Sequence, residues 1–215
     1  AEQVVVLAPL DLGGDVQEVV RGMGFDSRIG PDFLQAGIGF GGSCLPKSVQ
    51  TLLDNGKDLD CDLPLLAGVE QVNNARIDVI FSRLERALAP LNGKKIAVWG
   101  VTFKPNTDDL REAPSLKILK KLLDAQVQVC VYDPVAPLAG VDVGGMDLDV
   151  AEDLYAGLKN ADALLILTEW DQFKNPDFAK MKSLMRHPFV VDGRNIFDPA
   201  TMEDAGFQYV SIGRG

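Results

Sequence analysis

From Lys95 onward the chain alternates short apolar runs with helical stretches of about ten residues, and few architectures accept that rhythm. Ile96–Val101, Val127–Tyr132, Ala163–Thr168, Phe189–Asp192 and Gln208–Ile212 read as strands. Ser115–Leu123, residues 151–160 and Asp177–Met185 read as the helices between them. Strands separated by helical stretches of about ten residues indicate βαβ units and a parallel α/β sheet. Ligands of such sheets lie beyond the carboxyl ends of the strands. Two polar signatures fall at those ends, one after Val101 and one after Val191.

The first part of the chain has a different, helical pattern. Residues 14–23 read as a short helix capped by Asp15, and Lys47–Leu53 as the start of another. A loop is expected over Asn55, Gly56 and Asp58–Asp62. A long helix follows from about Leu63 to Leu91, with Leu65, Leu66, Val69, Val72, Val79, Ile80, Leu84 and Leu88 near a 3.6-residue period. Pro64 suits its first turn and Asn92-Gly93 its exit. The expected division is therefore a helical region over residues 1–91 and a sheet region over 92–215.

Within the helical region, Gly37–Ser48 reads GIGFGGSCLPKS. Glycines at this density let a ligand lie against the backbone, and Cys44 at the end of such a loop is placed to meet it. Lys47 adds a cation. Structural cysteines sit among apolar neighbours instead, so Cys44 is a candidate nucleophile; the plain alternative is a tight turn with a free thiol.

Charge and composition narrow the function classes. A net charge of −10 argues against a nucleic-acid polymer as partner. No apolar run approaches the ~20 residues of a membrane span, and VVVLAPL lacks a basic flank, so neither a membrane nor a secretory signal is expected. Three cysteines, 44, 61 and 130, cannot all pair, which fits a reducing cytoplasm. Cys130 is expected inside a strand and Cys61 in an acidic loop. No paired CxxC or histidine cluster suggests a metal, and His187 before a proline reads as a loop residue. Lys94-Lys95 and Lys117, Lys120 and Lys121 read as solvated faces.

The glycine loop resembles the active-site signature of the nucleotide-sugar 6-dehydrogenases, the UDP-glucose dehydrogenase group. Arg28-Ile29-Gly30-Pro31 and Phe33-Leu34 before it, Leu65-Leu66, Val69, Val72 and Asn73 after it, Gly100–Ser115 (GVTFKPNTDDLREAPS), and Asp192-Gly193-Arg194-Asn195 carry the likeness across about residues 13–215. The resemblance implies a helical central region with a long connecting helix, then a Rossmann-like UDP-binding sheet domain. It implies NAD-dependent oxidation of UDP-glucose to UDP-glucuronate, in a cytoplasmic homodimer, for polysaccharide biosynthesis. Cys44 would form a thiohemiacetal and then a thioester. Substrate contacts would come from Arg28 (reaching the neighbouring subunit's site), Phe33, Leu34, Gln35, Ala36, Gly37, Ile38, Gly39, Phe40, Gly41, Phe103, Lys104 and Arg194. Lys47 and Arg111 would meet the cofactor. For Arg194 the plain alternative is an ion pair to Asp192 or Asp198.

Three departures accompany the likeness. No strand leads into a GxGxxG turn; Ile96–Gly100 runs on into Val101-Thr102-Phe103-Lys104. NAD would then be bound mainly by an N-terminal domain absent from these residues, which would be inactive alone. Ser48 stands where the family has an aspartate associated with activating water, and AEQVVVLAPLDL matches the family poorly. The competing expectations are a GDP-mannose or UDP-N-acetylmannosamine dehydrogenase, or a non-catalytic sugar-nucleotide-binding or dimerisation module.

Overall fold

The computed structural model describes residues 14–138, 141, 143–144 and 148–214. The opening VVVLAPL run lies outside the described residues. Strand β1 (Lys95–Trp99) lies at the centre of the sheet, paired in parallel with β2 (Gln128–Tyr132) on one side and β4 (Ala163–Ile166) on the other. With β3 (Asp149–Val150), β5 (Phe189–Asp192) and β6 (Gln208–Ser211), the described strands take the order β3-β2-β1-β4-β5-β6, all parallel. That is the doubly wound order of a Rossmann-like sheet, with its switch point between β1 and β4.

Both faces of this sheet are covered, as parallel pairing requires. Ile96, Val98, Val131, Leu165 and Val191 pack into one buried cluster with Ile77, Ile80, Leu84 and Leu88 of the long helix and Ile118, Leu119 and Leu122. The alternate residues Ala97, Trp99, Leu164, Ile166 and Val190 face the other way, against Phe173, Met181, Phe197 and Met202. The period of two in the strand side chains thus feeds two cores. The helical region shares the first of them, because Ile38 and Val16 are buried there too.

Helix α1 (Val16–Gly24) starts where Asp15 accepts the Gln17 N–H. Helix α2 (Leu45–Asp58) begins immediately after Cys44 and runs through Asn55 and Gly56, where a loop was expected. The left-handed residue that ends it is Asp60 (φ 51°), and the Cys61 N–H donates to the Gly56 carbonyl at 2.8 Å. Gly56 serves packing instead, since a Cβ there would sit 2.8 Å from the Cys61 carbonyl oxygen.

Helix α3 (Pro64–Leu88) is the expected long helix, three residues shorter at its end than predicted. Its buried face is confined to the second half, while Leu65 is 81% exposed. Helix α4 (Pro114–Asp124) and helix α5 (Phe178–Leu184) match their predicted positions, and Asp177 caps α5 through the Lys180 N–H. Helix α6 (Pro199–Asp204) and strand β3 were not foreseen; α6 is short and β3 has only two residues.

Residues 151–160 do not form the expected helix. They hold only a 3₁₀ turn at Ala156–Leu158. Asp153 accepts the Tyr155 and Ala156 N–H groups, Leu158 is fully buried, and Asn160 turns back at φ 59°. Gly157 packs beside Cys130, so the segment turns tightly against the sheet instead of extending as a helix.

Candidate functional site

Beyond the carboxyl ends of β1, β4 and β5 a cavity of about 680 Å³ opens, lined in part by Gln35, Gly37, Phe40, Phe103, Lys104 and Arg194. Ala36, Gly39, Gly41 and the highly exposed Phe33 also border it. Three stretches separated in sequence thus converge where the switch point of the sheet predicts a ligand.

Arg194 ties these stretches together. Its Nε donates to the Leu167 carbonyl at 2.9 Å and its Nη2 to the Phe103 carbonyl at 3.3 Å, while the Glu169 carboxylate lies 3.2 Å from Nε. Neither Asp192 nor Asp198 pairs with the guanidinium; Asp192 accepts the Arg194 backbone N–H at 2.9 Å. A Cβ on Gly37 would come within 2.9 Å of Arg194 Nη1, so a larger residue there would push the guanidinium from its place. Lys104 Nζ lies 5.4 Å from the centre of the Phe103 ring, at the same wall.

The glycines of the loop are filled from the protein side as much as opened to a ligand. A Cβ on Gly41 would meet the Glu112 carbonyl at 2.4 Å, and one on Gly42 would meet the Phe103 ring at 2.8 Å. The loop is pinned twice. Asn73 of α3 accepts the Phe40 N–H at 2.8 Å and donates to the Phe40 carbonyl at 3.1 Å. Gly42 N–H donates to the Arg111 carbonyl at 2.9 Å. Cys44 follows as the exposed N-cap residue of α2, next to the cavity-lining Leu45, with Ser43 Oγ 3.7 Å from its sulfur.

Other predicted residues stand elsewhere. Leu34 and Ile38 are buried, and Ile38 packs against Gly193. Arg28 is exposed outside the cavity, bound to Asp26. Lys47 lines a second cavity of about 450 Å³ between α2 and α3, with Gln50, Glu70, Asn73, Asn74 and Lys117. Phe40 is a wall of both cavities. Arg111 is exposed and bound to Asp109 at 2.7 Å, and its guanidinium holds the Asp109 carboxyl down at about 2. Ser48 lies one turn after Cys44, and its N–H donates to the Cys44 carbonyl at 2.9 Å.

Asp32, Glu169 and Pro105 also line the larger cavity, and none was foreseen. Glu169 could have been found by its place just after a strand end. Asp32 stands next to the loop in sequence, while Asn73, though part of the motif that carries the likeness, reaches the loop only through folding.

The turn after β1 does not fit a dinucleotide. Asp133 accepts the Val101 N–H at 2.8 Å and the Thr102 N–H at 3.3 Å, and Thr168 Oγ1 donates to the Thr102 carbonyl at 2.6 Å. A Cβ on Gly100 would meet Thr168 at 2.5 Å. The amides that would hold a pyrophosphate are already engaged by the protein. Gly37, Gly39 and Gly42 formally have GxGxxG spacing, yet no strand precedes them among the described residues. Among the described residues no cluster could hold a metal ion, and no helix is long and apolar enough to cross a membrane.

Comparison with known proteins gives the family of the chain. Residues 97–199 match the UDP-glucose/GDP-mannose dehydrogenase family's UDP binding domain, and residues 8–75 match its central domain. A UDP-glucose 6-dehydrogenase of Pseudomonas aeruginosa is 45% identical over 209 residues, which cover 94% of this chain and 46% of that protein. UDP-glucose 6-dehydrogenase TuaD of Bacillus subtilis is 40% identical, with 94% and 44% covered. The chain therefore spans about half the length of the curated relatives it matches. The structure of a UDP-glucose dehydrogenase from Pyrobaculum islandicum superposes with a TM-score of 0.84 at 31% identity, covering 100% of this chain and 46% of that one. A UDP-D-ManNAc dehydrogenase from Pyrococcus horikoshii gives 0.80 at 30%, covering 100% and 48%. The chain belongs to the UDP-glucose/GDP-mannose dehydrogenase family, with residues of both its central and its UDP-binding domains.

Proposed function

We propose that the larger cavity binds UDP-glucose and that Cys44 is the nucleophile for its oxidation to UDP-glucuronate. The convergence of loop 33–41, Phe103-Lys104 and Arg194 on one cavity, which Leu45 next to Cys44 also lines, carries this reading. Phe103 and Lys104 meet the uridine and diphosphate end, where Lys104 and Arg194 supply positive charge. The backbone of Gln35–Gly41 follows the glucose and presents its C6 toward Cys44. UDP-glucose is preferred to UDP-D-ManNAc because the more similar curated relatives carry the UDP-glucose name.

In this scheme Cys44 Sγ adds to the C6 aldehyde carbon, giving a thiohemiacetal that can still lose a hydride. That loss leaves a thioester, and water releases the carboxylate and returns the thiol. NAD would accept each hydride, held mainly outside these 215 residues because the β1 turn is closed to it. Lys47 and Arg111 are this chain's proposed contacts to the cofactor. Arg28, exposed and away from its own cavity, fits a role in a partner subunit's site within a homodimer. The domain boundary is proposed at residues 91/92, between the two family matches.

A non-catalytic sugar-nucleotide-binding module is the second reading, favoured by Ser48 and the closed β1 turn. Titration calorimetry with UDP and UDP-glucose tests the binding that both readings share. Saturable binding of both is expected, lost in Lys104→Ala, while no binding at millimolar UDP by folded protein would refute it. Labelling of Cys44 by a UDP-sugar C6 aldehyde, found by mass spectrometry, separates the enzyme reading from the module.

A further inference from the structure

We propose that Asn73 is a positioning residue for the Cys44 loop, setting where the sugar of a nucleotide sugar meets the thiol; this rests on the reading above. Asn73 comes from the interior of α3, where an asparagine does not favour the helix. Its side chain engages both backbone groups of Phe40, as a neighbouring strand would. Gly39, at φ 110°, permits that approach, because a Cβ there would stand 2.6 Å from Asn73 Oδ1. A side chain larger than hydrogen at position 39 and this clamp cannot coexist.

The geometry downstream gives the clamp its consequence. Phe40 walls both cavities, and only Gly41 separates it from the second pin at Gly42. Ser43 and Cys44 then lead directly into α2. The thiol is therefore located by two pins, one from the long helix and one from the chain after β1. Releasing Asn73 frees the sugar-facing wall and leaves Phe103, Lys104 and Arg194 in place. Such a change affects recognition of the hexose and spares that of the nucleotide.

The test compares the chain with its Asn73→Ala, Asn73→Asp and Gly39→Ala variants. In Asn73→Ala, affinity for UDP-glucose should fall about tenfold, as loss of hydrogen bonds from one loop implies, with affinity for UDP unchanged. Iodoacetamide labelling of Cys44 relative to the exposed Cys61 in the same molecule should shift by about threefold or more. Gly39→Ala should reproduce both effects from the loop side. Asn73→Asp keeps the acceptor for the Phe40 N–H and should fall between, which also serves if the alanine variant does not fold. Equal losses for UDP and UDP-glucose, or an unchanged Cys44-to-Cys61 ratio with a lowered melting temperature, would overturn the proposal. If the parent chain binds neither ligand, the functional reading fails and the labelling ratio alone decides the role of Asn73.

Discussion

At position 48 a single side chain bears on the last step of the proposed chemistry. Ser48 stands four residues after Cys44 on α2, so the two share a helix face. A carboxylate there would lie beside any thioester on Cys44 and could take a proton from attacking water; a hydroxyl cannot. In a longer enzyme that joins this chain to a dinucleotide-binding domain, Ser48→Asp should raise turnover by ~10²–10⁴, the usual effect of a positioned base. Mass spectrometry should then find the Cys44 thioester accumulating in the serine form and absent from the aspartate form. Equal turnover with no adduct in either would remove position 48 from the hydrolysis step.

Among the elements, α3 combines the core of the sheet region with the clamp on the loop, and it carries an unusual burden. Arg76 is 1% exposed, and its Nε and Nη1 have no hydrogen-bond partner among the described residues. Desolvation lowers its pKa, and Arg83, two turns on, is lowered by its own burial and then by Arg76. Arg83 is anchored by donating to the Ser211 carbonyl. A buried guanidinium with two unpaired nitrogens costs more than an apolar side chain of similar length. Arg76→Met should therefore stabilise the chain by about 1–4 kcal/mol in urea unfolding, the range for replacing buried ionic groups with packed apolar ones of similar volume. Destabilisation instead would show that Arg76 makes an interaction worth more than its desolvation. The apolar period of α3 was readable from its sequence; that its first half stays open while its second half is covered was not, because the strands that cover it come from residues far along the chain.

Taken as a whole molecule, the three thiols report how burial is distributed. Cys44 and Cys61 are exposed, and Cys130 is buried in β2 behind Gly157. Burial first, and Asp149 second, push the Cys130 thiol up to about 11. An unfolded cysteine ionises near ~8.5, so in this window the unfolded state loses its proton first. The contribution of Cys130 is intact below about pH 8.5 and is lost progressively as pH rises toward the folded value. Wild-type stability should drop by on the order of 2 kcal/mol more than that of Cys130→Ala between pH 7 and 10.5. Denaturant titrations at the two pH values check this. A thiol reagent should meanwhile count two fast groups in the native protein and the third only on unfolding; three fast groups would place Cys130 at the surface.

By itself the sequence determined the periodicities and the position of the glycine-rich loop. Apolar runs alternating with helical stretches of about ten residues indicate βαβ units and a parallel sheet, and the FKP and DGRN motifs fall at the strand ends, where ligands of such sheets lie. Local signals also located α1 through its Asp15 cap and α3 through Pro64 in its first turn. Only the tertiary structure decided what fills the space at each glycine and which side chains reach the loop. Asn73 meets Phe40 across 33 residues of chain and Arg194 meets Phe103 across 91, and no local pattern encodes contacts at those separations. The same holds for residues 151–160, whose composition permits a helix. The burial of Leu158 and Gly157 against the sheet leaves room for one tight turn.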